Sequence, residues 1–234
     1  MKIEIITIFP DLFTEVFRFG MIQQAQQKGL LEIEAINLRD FTTDRHRTVD
    51  DRPFGGGVGM VMKPEPLFAA VESCMGDNSS PPHVVLLSPQ GQLFDQNKAK
   101  ELSLMTRLIL ICGRYEGVDQ RVADHLVDEE ISLGDYVLSG GEFGAAVIVD
   151  AVSRLIPGVL GRGDSVLQDS FMDGMLDYPH YTRPAQFRDW KVPESLLSGN
   201  HREIERWREE QSLKLTKRRR PDLLHVKEND NESS

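Results

Sequence analysis

Residues 107–117 read RLILICGRYEG, and how that stretch is read decides the fold. From Leu108 to Cys112 no polar residue interrupts the run, which then stops at Gly113. An apolar run this short fits a strand, and a strand without polar alternation is covered on both faces. The same arrangement recurs on either side. His83 to Leu87 is an apolar strand ending in Ser88-Pro89-Gln90-Gly91, and residues 129–133 (EEISL) run into Gly134-Asp135-Tyr136-Val137-Leu138-Ser139-Gly140-Gly141. Residues 95–104, between the first two strands, read as a helix. Such strands alternating with helices predict an α/β fold with a parallel sheet.

Toward the N-terminus, residues 2–9 (KIEIITIF) form a strand that stops at Pro10-Asp11, a helix start. Leu12, Phe13, Val16 and Phe17 then recur at helical spacing, and Gly29 closes that region. Residues 30–38 make a second strand, and 39–62 a long polar loop with the glycine run Gly55-Gly56-Gly57-Val58-Gly59. A helix carrying Leu67, Phe68, Val71 and Cys74 on one face follows, and 77–82 (DNSSPP) is a turn or linker. Residues 143–156 are apolar on nearly every side, which predicts a helix buried all round, with a subunit interface as one cover.

The C-terminal part differs in charge. The whole chain carries −10, an acidic balance that argues against a nucleic-acid partner. Between His180 and His225, however, eleven Lys/Arg face seven Asp/Glu, so this segment carries +4 and the remainder −14. Asn200 with Glu203 is a capping-box signal for a helix bearing Ile204 and Trp207, and Lys217-Arg218-Arg219-Arg220 ends the region. The resulting division is 1–160 as the main domain, 161–174 as a glycine- and aspartate-rich flexible linker or lid, and 175–234 as a small helical domain. Its last residues, from Lys227, are expected to be disordered.

Cys74 and Cys112 lie in apolar runs and read as buried thiols, with no Cys/His spacing for a structural metal. Met1-Lys2-Ile3-Glu4 does not read as a signal peptide, and no apolar run approaches the roughly 20 residues of a membrane helix. The expected compartment is the cytoplasm.

Three glycine-bearing loops at successive strand ends, 88–91, 113–117 and 134–141, point to a nucleotide-sized ligand. In an open parallel sheet ligands bind beyond the carboxyl ends of the strands, and glycine lets main chain approach them. Neither the phosphate-loop ending Gly-Lys-Ser/Thr nor the spacing G-x-G-x-x-G occurs, which disfavours ATP hydrolysis and Rossmann cofactors.

The residues of these loops resemble the bacterial tRNA (guanine-N1)-methyltransferases. Leu87-Ser88-Pro89-Gln90-Gly91, Gly113-Arg114-Tyr115-Glu116-Gly117 and Gly134 to Glu142 carry the resemblance. Asp50-Asp51-Arg52-Pro53, Ser153-Arg154 with Pro157 to Gly161, Asp169-Ser170-Phe171, Pro179 to Pro184 and Leu197 to His201 extend it, in order, to about Leu224. The resemblance implies the SPOUT fold, a parallel sheet with a deep trefoil knot, plus the small C-terminal helical domain; periodicity alone does not suggest a knot.

It implies S-adenosylmethionine as methyl donor, held by Leu87, Ser88, Pro89, Gly113, Tyr115, Glu116, Ser132, Leu133, Gly134, Asp135, Tyr136, Val137, Leu138, Gly140 and Gly141. It assigns Asp169 as the base that takes the proton from guanine N1, and Arg154 as the cation that stabilises charge on the guanine carbonyl oxygen. Asp50, Gly59, Ser165 and His180 are implied substrate contacts. The implied partners are tRNA, bound at the guanine immediately 3′ of the anticodon, and a second copy of the chain, in a homodimer whose active site both protomers share. The resemblance also implies assistance by Mg2+, for which the sequence offers no ligand set.

Without the resemblance, Asp169 reads as a solvated loop aspartate, Arg154 as half of a buried ion pair, His180 as a packed hinge, and 217–220 as a solvated helix end. Three positions depart from the family pattern: Val58 and Gly144 stand where proline is usual, and Leu86 where an aromatic is common. Glycine suits a first helical turn less well than proline, so a less rigid end of the cofactor loop is expected. Two rival readings are a ribosomal RNA methyltransferase and a non-catalytic RNA-binding module.

Overall fold

The computed structural model describes residues 1–76, 81–160 and 169–224. The chain divides into two compact units, Met1–Gly161 and Arg162–Ser234.

The first unit is built on a five-stranded sheet of order β2-β1-β6-β5-β7, every neighbouring pair parallel. Its strands are β1 (Lys2–Thr7), β2 (Glu32–Asn37), β5 (His83–Leu93), β6 (Arg107–Cys112) and β7 (Glu129–Ser132). Period-two alternation sends Leu108, Leu110 and Cys112 to one face and Ile109 and Ile111 to the other, all buried. The first face is covered by α1 (Pro10–Val16), α2 (Gly20–Gln27), α4 (Gln96–Ser103) and α6 (Glu142–Ser153), through residues such as Phe13, Ala25, Leu102 and Val149. The second is covered by α3 (Pro64–Met75), α5 (Gln120–His125) and a 3-10 turn at Leu38–Phe41, through Leu67, Val71, Val122 and Leu38. The apolar run Leu108–Cys112 is thus in the central strand of a three-layer α/β unit. Glu4 is a buried carboxylate in β1; Arg107 Nη2 donates to it at 3.0 Å and Lys2 Nζ at 2.9 Å.

Four local features differ from the sequence expectation. The first helical region is broken between Val16 and Gly20, where Gly20 takes φ +70°. The polar loop at 39–62 contains a small antiparallel pair, β3 (Asp50–Asp51) with β4 (Val61–Met62). Helix α5 went unread, although Asp119 caps it by accepting from Arg121 N–H. Helix α6 is not buried all round: Phe143 is 55% and Val147 50% exposed, while Ile148, Val149 and Val152 are buried.

The second unit, among its described residues, contains a two-stranded hairpin, β8 (Gln186–Phe187) with β9 (Trp190–Lys191), which the sequence reading missed. Helices α7 (Glu194–Leu197) and α8 (His201–Arg219) follow. Asn200 caps α8 as its spacing predicts, accepting from Glu203 N–H at 3.4 Å. The buried hydroxyls of Ser212 and Thr216 tie α8 to main chain at Leu176, at 2.6 and 3.0 Å.

Candidate functional site

Strand order reverses around β5: the chain leaves it toward β6, then crosses back to β7 on its other side. A crevice therefore opens at the carboxyl ends of these three strands. The structure places a cavity of about 310 Å³ there, at the low end of the ~300–1,000 Å³ typical of small-molecule sites.

Four segments form its walls. The first is a bulge in β5. Leu87 and Gln92 both register with Ile131 of β7, so residues 88–91 loop out of a strand that continues to Leu93. Ser88 Oγ steadies the bulge by accepting from Gln90 N–H at 3.1 Å. Gly91 is compelled: a Cβ there would stand 2.3 Å from the Glu130 carbonyl carbon. The second wall follows β6, where a tight turn closes with Gly117 N–H donating to Arg114 O at 3.0 Å and Tyr115 at φ +62°. The third is the end of β7, where the Tyr136 hydroxyl donates to Leu133 O at 3.2 Å. The fourth runs from Tyr136 to the start of α6. Gly141 N–H donates to Gly113 O at 2.9 Å, and a Cβ on Gly141 would meet Cys112 Cα at 2.8 Å.

The cavity gathers Leu87, Ser88, Pro89, Gly113, Tyr115, Glu116, Ser132, Leu133, Gly134, Tyr136, Val137, Leu138, Gly140 and Gly141. Of the expected cofactor residues Asp135 alone does not line it. Leu86 does line it, from a buried position. Gly144 lines it from the first turn of α6, and a Cβ there would meet side chains only, Leu87 at 2.7 Å and Leu133 at 3.2 Å.

The sequence reading passed over Arg114, Gln90, Gln120 and Glu130, which also line the cavity. Arg114 lay inside a quoted motif, but its role depends on a residue 28 positions away. Its Nε donates to Glu142 Oε2 at 3.0 Å, and its guanidinium lies 4.5 Å from the Phe9 ring centroid. Glu142 is 1% exposed, and its other oxygen accepts from the Thr7 hydroxyl at 3.0 Å. A carboxylate at a helix N-terminus is also favoured by the helix dipole. The pair packs on Gly140, where a Cβ would fall 2.3 Å from Arg114 Nε, so it braces the end of the fourth wall. Beneath the cavity, burial pushes the Cys112 thiol well up, which keeps it neutral and unreactive.

Gly59, at φ +95°, lies against the Glu116 side chain, next to the cavity. Asp50 pairs with Met62 across β3 and β4, and is not among the cavity residues. Val58 is almost fully exposed. Arg154 caps the C-terminus of α6, its N–H donating to Asp150 O at 3.3 Å. In the second unit, Asp169 O accepts from Met172 N–H at 3.2 Å. His180 Nε2 lies 2.7 Å from Asp177 Oδ2, with its ring 4.7 Å from that of Tyr178; it is an exposed, hydrogen-bonded side chain and not a packed hinge. Ser165, most of the expected linker and the tail from Lys227 lie outside the described residues.

Comparison with known proteins bears on this arrangement. The chain matches, over residues 1–226, the family model described as tRNA (guanine-1)-methyltransferase TrmD. A tRNA (guanine-N(1)-)-methyltransferase of Dehalococcoides mccartyi is 55% identical over 224 residues, which cover 96% of this chain and 90% of that protein. Proteins of the same name from Bacillus cereus and Bacillus anthracis are each 53% identical over 228 residues, 97% of this chain and 93% of theirs.

Proposed function

The chain belongs to the tRNA (guanine-1)-methyltransferase family, and from that premise we propose how its own residues divide the reaction. The enzyme transfers a methyl group from S-adenosylmethionine to N1 of the guanine immediately 3′ of the tRNA anticodon. One observation carries the assignment of the donor site: three glycine-bearing strand ends converge on a cavity where a Cβ at Gly113 or Gly141 would press on main chain and one at Gly140 on the Arg114–Glu142 pair. Such a cradle suits a ligand held by peptide N–H and C=O groups.

S-adenosylmethionine supplies an electrophilic methyl group on its sulfonium sulfur. The protein's task is to make guanine N1 a nucleophile, because that nitrogen carries a proton. Asp169 accepts this proton as the N1–methyl bond forms, and a positioned base of this kind contributes about 10²–10⁴-fold. Arg154 offsets the negative charge that builds on the guanine carbonyl oxygen. Asp50, Gly59, Ser165 and His180 contact the tRNA. Asp135, outside the cavity wall, contributes through the turn it shares with Gly134 and Tyr136. For Mg2+, no three His, Cys, Asp or Glu side chains gather among the described residues.

The architecture in this reading is a trefoil-knotted domain of residues 1–160, a linker of 161–174 and a C-terminal tRNA-binding domain of 175–234. Membership of the family supports the knot. The two compact units support the division. The half-exposed Phe143 and Val147 on α6 support a homodimer, in which Asp169 of one protomer serves the cofactor of its partner. The enzyme works in the cytoplasm; among the described residues no helix is long and apolar enough to cross a membrane.

Binding and transfer test this reading separately. By calorimetry S-adenosylmethionine is expected to bind the unmodified chain and Asp169→Asn alike, and only the former is expected to move labelled methyl to a tRNA transcript. Absence of cofactor binding in the unmodified chain would remove the donor-site assignment. Full transfer by the variant would remove Asp169 as the base.

A further inference from the structure

The hairpin of β8 and β9 presents a surface that the assignments above leave unused. Its strands pair Gln186 with Lys191 and Phe187 with Trp190, and Val192 N–H closes its base by donating to Ala185 O at 2.9 Å. Every residue from Tyr181 to Lys191 is exposed. Phe187 is 58% and Trp190 65% open, although they are the bulkiest apolar groups in the hairpin. The two rings lie 6.1 Å apart at 38°, and the Arg188 guanidinium sits 5.3 Å from one centroid and 5.8 Å from the other. Arg188 holds φ +56°, a left-handed backbone unusual for a residue with a side chain, and Gln186 Nε2 secures that turn by donating to Arg188 O at 2.8 Å. Lys191 and Arg183 are exposed in the same stretch, against Asp189 alone of opposite sign.

Two exposed rings, tilted by 38°, with a guanidinium beside both form an aromatic, cationic face. Unpaired nucleobases stack on aromatic and guanidinium planes, and nearby cations meet the phosphates. A protein partner of ordinary apolar character would gain nothing from the positive charge. We propose that the 186–191 hairpin is a stacking platform for an unpaired nucleotide of the substrate RNA, with Trp190 and Phe187 as its planes and Arg188 and Lys191 as phosphate contacts. The proposal rests on the tRNA-methyltransferase reading and adds to it a second contact, distinct from the methylated guanine.

The chain has two tryptophans, Trp190 and Trp207, so Trp207→Phe leaves Trp190 as the reporter. Titrating that full-length variant with a tRNA transcript is expected to quench its emission, with the same midpoint as direct binding. Trp190→Ala in the natural background should bind the transcript roughly 5- to 150-fold more weakly. Trp190→Phe, which keeps a stacking plane, should stay within about threefold of the unmodified chain. Equal affinity for Trp190→Ala and unchanged Trp190 emission would overturn the platform while leaving the enzyme reading intact. A change in oligomeric state for Trp190→Ala, with tRNA affinity unchanged, would overturn it in favour of a protein contact. If the unmodified chain bound no tRNA, both readings would fall together.

Discussion

At Gly91 and at Gly144 an added methyl group meets different neighbours. The first would press on Glu130 main chain at 2.3 Å, which a sheet holds in place. The second would press on the tip of Leu87, a side chain that lines the cavity. Gly91→Ala is therefore expected to cost about 1–3 kcal/mol of stability, the range for overpacking. Gly144→Ala should cost less than about 1 kcal/mol but weaken S-adenosylmethionine binding, because the displaced group belongs to the site. Denaturant melts and calorimetry on the two variants check this, and equal loss of stability would contradict it. The glycines of the three loops were legible in the sequence as sites of close main-chain approach. Which atoms they approach was not, because Gly91 meets β7 and Gly141 meets β6. Arg114 was illegible for the same reason, since its partners Glu142 and Phe9 come from distant segments.

For the elements, legibility followed the length and purity of the pattern. β1, β2, β6 and β7, and α3, α4, α6 and α8, were readable from apolar period or caps. The β5 bulge was readable only as a loop, because its return to the sheet at Gln92 and Leu93 carries no apolar signal. The 186–191 hairpin offers two residues per strand, too few for alternation to show, and lacks the glycine that usually marks such a turn. For α6 composition shows an apolar helix but not what covers each face, because burial in its own chain and cover by a second copy read alike. If a partner copy covers Phe143 and Val147, Val147→Glu should convert the dimer to monomer in analytical ultracentrifugation while the variant still binds S-adenosylmethionine. An unchanged mass would place the interface elsewhere.

Across the whole molecule, charge and pH dependence have separable sources. The acidic balance speaks against nucleic acid only as an average, because the segment from His180 to His225 is of opposite sign to the rest of the chain. The +4 segment between His180 and His225 should make tRNA affinity fall steeply with salt. Stability at low pH has a source in the first unit. Burial raises the Glu129 pKa, but hydrogen bonds from His83 at 2.8 Å and Lys98 at 2.9 Å outweigh it and hold the carboxyl below its usual 4.5. A lowered carboxylate pKa stabilises the fold above the unfolded value, and that contribution is lost as pH falls through the folded value. Glu129→Gln should thus be destabilised by about 1–2 kcal/mol at pH 7, with the gap to the unmodified chain closing below pH 4.5. A gap that persisted at low pH would mean that the network contributes through packing instead.

The central claim is methyl transfer to one guanine, and the position of the product tests it most directly. Two tRNA transcripts, one with guanine and one with adenine immediately 3′ of the anticodon, would be incubated with the enzyme and S-adenosylmethionine, then digested and mapped by mass spectrometry. The account predicts N1-methylguanosine at that single position in the first transcript and none in the second. Methyl groups in both, or at another nucleotide, would contradict it.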